Sequence, residues 1–147
     1  MLVSHLSGSH LASIIEKGFP GSVTQCDDSD VWVTPNKIAE ILQYMRDDEG
    51  LQFDFLNSIS AVDFIEFFEI VYHLTSISMQ TTAVVKTKVY GREDLSVPSV
   101  YHVWRGADFQ EREIWDLMGI RFTGHPNMKR ILLWEGFEGH PLRKDFL

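Results

Sequence analysis

A chain of 147 residues with a net charge of −8 is long enough for a single domain that removes roughly two thirds of its unfolded surface from water. Its one cysteine, Cys26, excludes an internal disulfide and any cluster or zinc site built from several cysteines of this chain, and it suits a reducing compartment; Asp27 and Asp28 beside it discourage a reactive thiolate. The acidic balance argues against nucleic-acid and anionic-membrane binding, and the start MLVSHLSGSHL lacks a basic leader followed by an apolar run, so a soluble, cytosol-facing protein is expected.

In chain order, Ser9 is placed to cap a short helix carrying Leu11, Ile14 and Ile15 on one face, stopped by Gly18 and Pro20. Ser22 to Cys26 and Val31 to Thr34 read as short strands around the DDSD turn. Thr34 and Pro35 form an N-cap and first helical residue for a helix whose apolar positions Ile38, Ile41, Leu42 and Met45 recur at three and four, with Gly50 as its stop. A β-rich middle follows: Phe53 to Ser60, Phe67 to Ile77, and Thr81 to Tyr90 with alternating Ala83, Val85, Thr87 and Val89, the last two joined at Met79-Gln80. Gly91 to Pro98 reads as a polar loop, and Ala107 to Met118 as a helix closed by Gly119.

This order describes a single α+β two-layer domain over residues 1–147: a mixed or largely antiparallel sheet covered by helices (1–119), then an extended docking arm (120–147). In the arm, Gly124, Pro126, Gly136, Gly139 and Pro141 forbid a long helix, leaving Ile131 to Leu133 as a brief strand. Charge divides the same way, with residues 1–104 carrying 6 Lys/Arg against 14 Asp/Glu and residues 105–147 carrying 7 against 7.

The helix segment places Arg112 and Asp116 at i,i+4 and Glu113 one turn from Asp116, a salt-bridged helix whose surplus acids await the basic arm or another subunit. Two similar strings follow, GHPNMKR from Gly124 and GHPLRKD from Gly139, fifteen residues apart. In each, glycine permits an unusual turn, proline fixes the exit and extends the preceding histidine, and cations follow at a set distance. Neither His125 nor His140 has a second metal ligand at i+2 or i+4, so both read as turn residues with hydrogen-bonding heads. No glycine loop for nucleotide phosphates is present. The aromatic side chains of the last third suit both core packing and buried protein contacts.

Taken as it stands, EREIWDLMGIRFTGHPNMKRILLWEGFEGHPLRKDF closely resembles the signature of the C subunit, or thirty-kilodalton subunit, of respiratory complex I. SAVDF, FFEIVYHLTSI, VPSV and WRGADFQERE extend the resemblance to about residues 58–147. The resemblance implies a non-catalytic assembly subunit of the peripheral arm of an NADH:quinone oxidoreductase-type complex, on the cytoplasmic side of the membrane. It implies no catalytic, cofactor or metal residues here, the iron–sulfur clusters and quinone belonging to neighbouring subunits. An equivalent subunit of a membrane-bound energy-converting hydrogenase or ferredoxin-oxidising relative is the alternative.

The residues expected to meet the quinone-module and iron–sulfur subunits are Glu111, Arg112, Glu113, Asp116, Phe122, Gly124, His125, Pro126, Arg130, Gly139, His140, Pro141, Leu142, Arg143, Lys144 and Asp145. The sequence departs from the family where Trp134-Glu135-Gly136-Phe137 follows Leu133 in place of a proline and an acidic-aromatic segment. It also stops at Leu147, short of a long tail that would wrap a neighbour.

Overall fold

A computed structural model describes residues 3–134 and 136–146, so Glu135 and Leu147 of those departures lie outside the described residues. The first helix, α1 (Gly8–Gly18), buries Leu11, Ala12 and Ile15. Its cap is Ser7 rather than Ser9: Ser7 has the extended backbone a cap needs (φ −64°, ψ 151°), and its hydroxyl accepts from the His10 amide at 3.2 Å. The strands β2 (Val23–Cys26) and β3 (Asp30–Val33) follow within a residue of expectation. Thr34 and Pro35 open a 3-10 turn, Pro35–Lys37, which runs into α2 (Ile38–Asp47) and its buried Ile38, Ile41, Leu42 and Met45. That helix stops before Gly50, because Asp48 turns extended and its carboxylate captures the Gly50 amide at 3.0 Å.

Three long strands, β4 (Phe55–Asp63), β5 (Phe67–Ser76) and β6 (Thr81–Tyr90), make up most of the sheet, with β4 at its edge. Its order is β2-β3-β6-β5-β4, and the short β1 (Ser4–His5) pairs in parallel with the start of β6. The sheet is mixed, since β3 runs parallel to β6 while β2 with β3, β4 with β5 and β5 with β6 are antiparallel. Register follows the hydrophobic alternation. Phe68 opposes Val89, Ile70 opposes Thr87, Tyr72 opposes Val85 and Leu74 opposes Ala83, and the apolar members of these pairs lie in the core with residues of α1 and α2. The other face is sealed by polar contacts: Trp32 donates to Glu69 at 2.9 Å, and Lys86 sits 2.7 Å from Asp30 and 4.9 Å from the Trp32 ring centroid.

The segment expected as a polar loop holds a strand, β7 (Ser96–Pro98), paired in parallel with β8 (Arg121–Thr123). Between them lies α3 (Ala107–Met118), ended by Gly119 with φ 80° and ψ 19°. Ile120 and Phe122 are buried, so the packed body runs to Thr123. The segment beyond it folds back in turns, and Ile131 to Leu133, expected as a strand, form a bend.

Candidate docking surface

Helix α3 turns two acids inward. Glu111 accepts from the Ser99 hydroxyl at 2.6 Å and the Val100 amide at 2.8 Å, tying α3 to the segment after β7. Burial pushes its carboxyl up to about 7 against the pull of those two donors. Asp116, fully buried, accepts from the amides of Ile131, Leu132 and Leu133 at 3.2, 2.8 and 2.9 Å, and from Arg130 at 2.9 Å. Burial raises that carboxyl too, but the three amides and the guanidinium outweigh it and hold it below its ordinary value. This is why Ile131 to Leu133 cannot be a strand: their amides converge on one oxygen instead of forming a ladder.

The i,i+4 pairing of Arg112 with Asp116 is not made. Arg112 donates to the carbonyls of Lys129 and Arg130 at 3.0 and 3.2 Å, and Glu113 stays exposed. The returning chain supplies four donors to the buried Asp116 carboxylate instead: three amides and the Arg130 guanidinium.

The doubled Gly-His-Pro pattern grips the two ends of α3. His125, its side chain buried, accepts from the Asn127 amide at Nδ1 (2.9 Å), which leaves the proton on Nε2 to be donated to the Asp108 carbonyl in the first helical turn at 3.3 Å, with the Asp108 carboxylate 2.9 Å away. His140 donates from Nδ1 to the Asp116 carbonyl in the last turn at 3.0 Å and lies 5.0 Å from the Trp115 ring. Gly124 and Gly139 share φ 87°, so the two copies open on the same backbone twist. Arg130 links the copies by donating to the Gly139 carbonyl at 2.9 Å. Among the described residues, no three His, Cys, Asp or Glu side chains converge as a metal site.

A second carboxylate anchor, the buried Asp63 at the end of β4, holds the far end of the arm. Arg92 binds it in bidentate fashion at 2.6 and 2.7 Å, and the Lys144 amide donates to it at 2.8 Å. The Arg92 guanidinium holds the Asp63 carboxyl well below the usual carboxylate range. Arg92 also reaches Asp145 at 2.9 Å, and Arg143 bonds the Arg92 carbonyl while its guanidinium stacks 5.3 Å from the buried Phe68 ring. Leu142 is tied through its amide to the Leu117 carbonyl at 2.9 Å.

Of the sequence candidates, Glu111, Asp116 and Phe122 therefore lie beneath the surface, and His125 is enclosed. Arg112, Arg130, His140, Pro141 and Arg143 are half-buried; Glu113, Gly124, Pro126, Gly139, Leu142, Lys144 and Asp145 are exposed. Sequence reasoning did not single out Asp63, Arg92 or Asp108; each works through a partner distant in sequence, and no local pattern marks it. The surface these anchors display includes an apolar patch: Leu132, Trp134 and Leu142 are exposed by 60, 68 and 60%. The rings of Trp134, Phe137 and Phe146 are spaced 5.9 and 6.2 Å apart beside them.

Comparison with known proteins gives one consistent family. Residues 31–147 match the family described as respiratory-chain NADH dehydrogenase, 30 Kd subunit, which extends the likeness upstream of residue 58 to β3. The C subunit of the NADH-quinone oxidoreductase of Roseiflexus sp. (strain RS-1) is 43% identical over 85% of this chain and 73% of the relative. A C subunit of the corresponding oxidoreductase of Rhizobium meliloti (strain 1021), the one numbered 2, is 45% identical over 78% of this chain, and the match spans 63% of that relative's length. Among solved structures, a chain of the membrane-bound sulfane sulfur reductase, an archaeal respiratory membrane complex, superposes with a TM-score of 0.75 and 26% identity, over 94% of this chain and 84% of that one.

Proposed function

The chain belongs to the family of respiratory-chain NADH dehydrogenase 30 Kd subunits, and on that premise we propose that it is a non-catalytic assembly subunit that docks through its C-terminal arm. Its partners are the quinone-module and iron–sulfur subunits of an NADH:quinone oxidoreductase-type complex, on the cytoplasmic side of the membrane. No described helix is long and apolar enough to cross a membrane. The redox centres belong to the neighbours; in this chain the only cysteine, Cys26, is exposed on a sheet-edge strand.

The observation that carries this reading is the way the arm is fastened. Asp116 and Asp63 take up four arm amides and Arg130 inside the chain, Arg143 is spent on the Arg92 carbonyl, and an aromatic and aliphatic face remains outward beside exposed Lys129, Glu138 and Lys144. A rigid apolar face of this kind suits burial against another subunit, because little ordering entropy is lost on contact. Leu132→Ser with Trp134→Ser is expected to leave the chain folded, since both side chains are already in water, and to lower its incorporation into the complex several-fold. Normal incorporation of that variant would sink the docking reading. Arg143→Glu is a poorer test, because Arg143 holds the arm to Phe68 and Arg92.

The likeness to a chain of the sulfane sulfur reductase supports a second reading, an equivalent subunit of a different respiratory membrane complex. Identity of 43–45% to NADH-quinone oxidoreductase subunits against 26% favours the first. Identifying the electron-input subunits of the native complex separates the two.

A further inference from the structure

The sheet ends on β4, whose outer side is paired by no described strand. The Ile59 amide points away from β5, donating to Gln110 Oε1 of α3 at 2.5 Å, and Gln110 donates in turn to the Gly106 carbonyl at 3.2 Å. Pairing with β5 is regular from Ser58 to Asp63, so alternation turns the N–H and C=O of Ala61 to that same outer side. Helix α3 thus caps the edge at one residue and leaves the next outward pair without a strand partner. Natural edges are blunted by charge or proline, and β4 from Ser58 to Val62 has neither.

Beside Ala61 lies a crevice of about 190 Å³ between β4, α3 and the arm. Ile59 and Ala61 line it from β4, Ile114 and Leu117 from α3, and Leu142, tied by its amide to the Leu117 carbonyl, from the arm. Glu113 lines the same crevice, exposed and without an ion pair among the described residues. Its neighbours one turn away on α3, Phe109, Gln110, Asp116 and Leu117, carry no positive charge, and the adjacent Arg112 is turned to the Lys129 and Arg130 carbonyls. A free backbone donor and acceptor, an apolar socket and a carboxylate without a counter-ion therefore meet at one place, which is the chemistry that takes up an extended peptide.

We infer that an extended segment of a neighbouring subunit adds to β4 at Ala61, sets an aliphatic side chain between Ile114, Leu117 and Leu142, and places a Lys or Arg on Glu113. The inference rests on the reading of this chain as an assembly subunit, and its site is continuous with the arm's apolar patch, which shares Leu142. Charge argues against a second copy: symmetric pairing of β4 on β4 about Ala61 would bring two Glu113 carboxylates together with no cation between them.

The test compares amide exchange in the full chain alone and in its native complex. The Ser60 and Val62 amides face β5 and stay protected in both, whereas the Ala61 amide is expected to exchange fast alone and about tenfold or more slowly in the complex. Equal exchange in the two states overturns the inference, and so does slowing in the chain alone as its concentration is raised, which marks a second copy. In competition with wild type for incorporation, Glu113→Gln is expected to lose several-fold and Glu113→Lys more, both keeping the wild-type thermal midpoint because the side chain is exposed. Equal incorporation of Glu113→Lys overturns the inference. Failure of the wild-type chain to enter an NADH-oxidising, quinone-reducing complex would instead count against the proposed function, and the wild-type lane reads it separately.

Discussion

Glu111 and Asp116 lie on one helix, both buried, and titrate in opposite directions. For Glu111 the folded value of about 7 lies above the ordinary 4.5, so its contribution to stability is complete below about pH 4.5 and is lost as pH rises through about 7. Urea midpoints at pH 5 and pH 8 should show that loss, on the order of 3 kcal/mol. Glu111→Gln should flatten it, since the amide can accept from Val100 and donate to the Ser99 hydroxyl. Asp116 is depressed, so its contribution is present above the ordinary 3.8 and disappears as pH falls further. Asp116→Ala leaves Arg130 and three amides without their acceptor; a cost of about 3–5 kcal/mol is expected from chemical denaturation.

Helix α3 is the element on which the arm is mounted, with His125 at its first turn and His140 at its last. Gly119 makes the second attachment possible. It holds φ 80°, and a Cβ there would stand 2.7 Å from His140 Cδ2. Gly119→Ala should therefore cost about 1–2 kcal/mol from the backbone alone, and it should push His140 off the helix end. Amide exchange is the measurement: faster exchange at Ile131 to Leu133, with the β5 and β6 amides still protected, is the expected pattern. Uniform loss of protection would instead mean that the arm and sheet open together.

At the scale of the molecule, the arm closes the domain it belongs to. Ile120 and Phe122 enter the core, β8 pairs with β7, and the last turns return to Asp63 at the end of β4. A chain ending at Thr123 keeps the core but loses arm donors from both anchoring carboxylates, whereas one ending at Gly119 also loses Phe122, a large core side chain worth about 3–5 kcal/mol. Urea unfolding should rank them in that order below the full chain. If the chain ending at Thr123 matched the full chain, the arm would be an appendage and the anchors energetically idle.

The periodicity of α1, α2, β5 and β6 and the helix end at Gly119 were legible in the residues, because ten or so consecutive positions repeat one pattern. The strands β1, β7 and β8 were not, since two or three residues carry no period and take their partners from elsewhere in the chain. The same division runs through the candidate docking surface. By itself, the sequence determined the doubled Gly-His-Pro turns, the acidic body with its balanced last third, and the resemblance that names the family. Only the tertiary structure decided that Asp116 and Asp63 are anchors, that Arg143 is spent within the chain, and that Leu132 and Trp134 face outward. The cause is physical: backbone chemistry is local, but a carboxylate's burial and the number of donors around it are set by residues brought together from as far apart as Asp63 and Lys144.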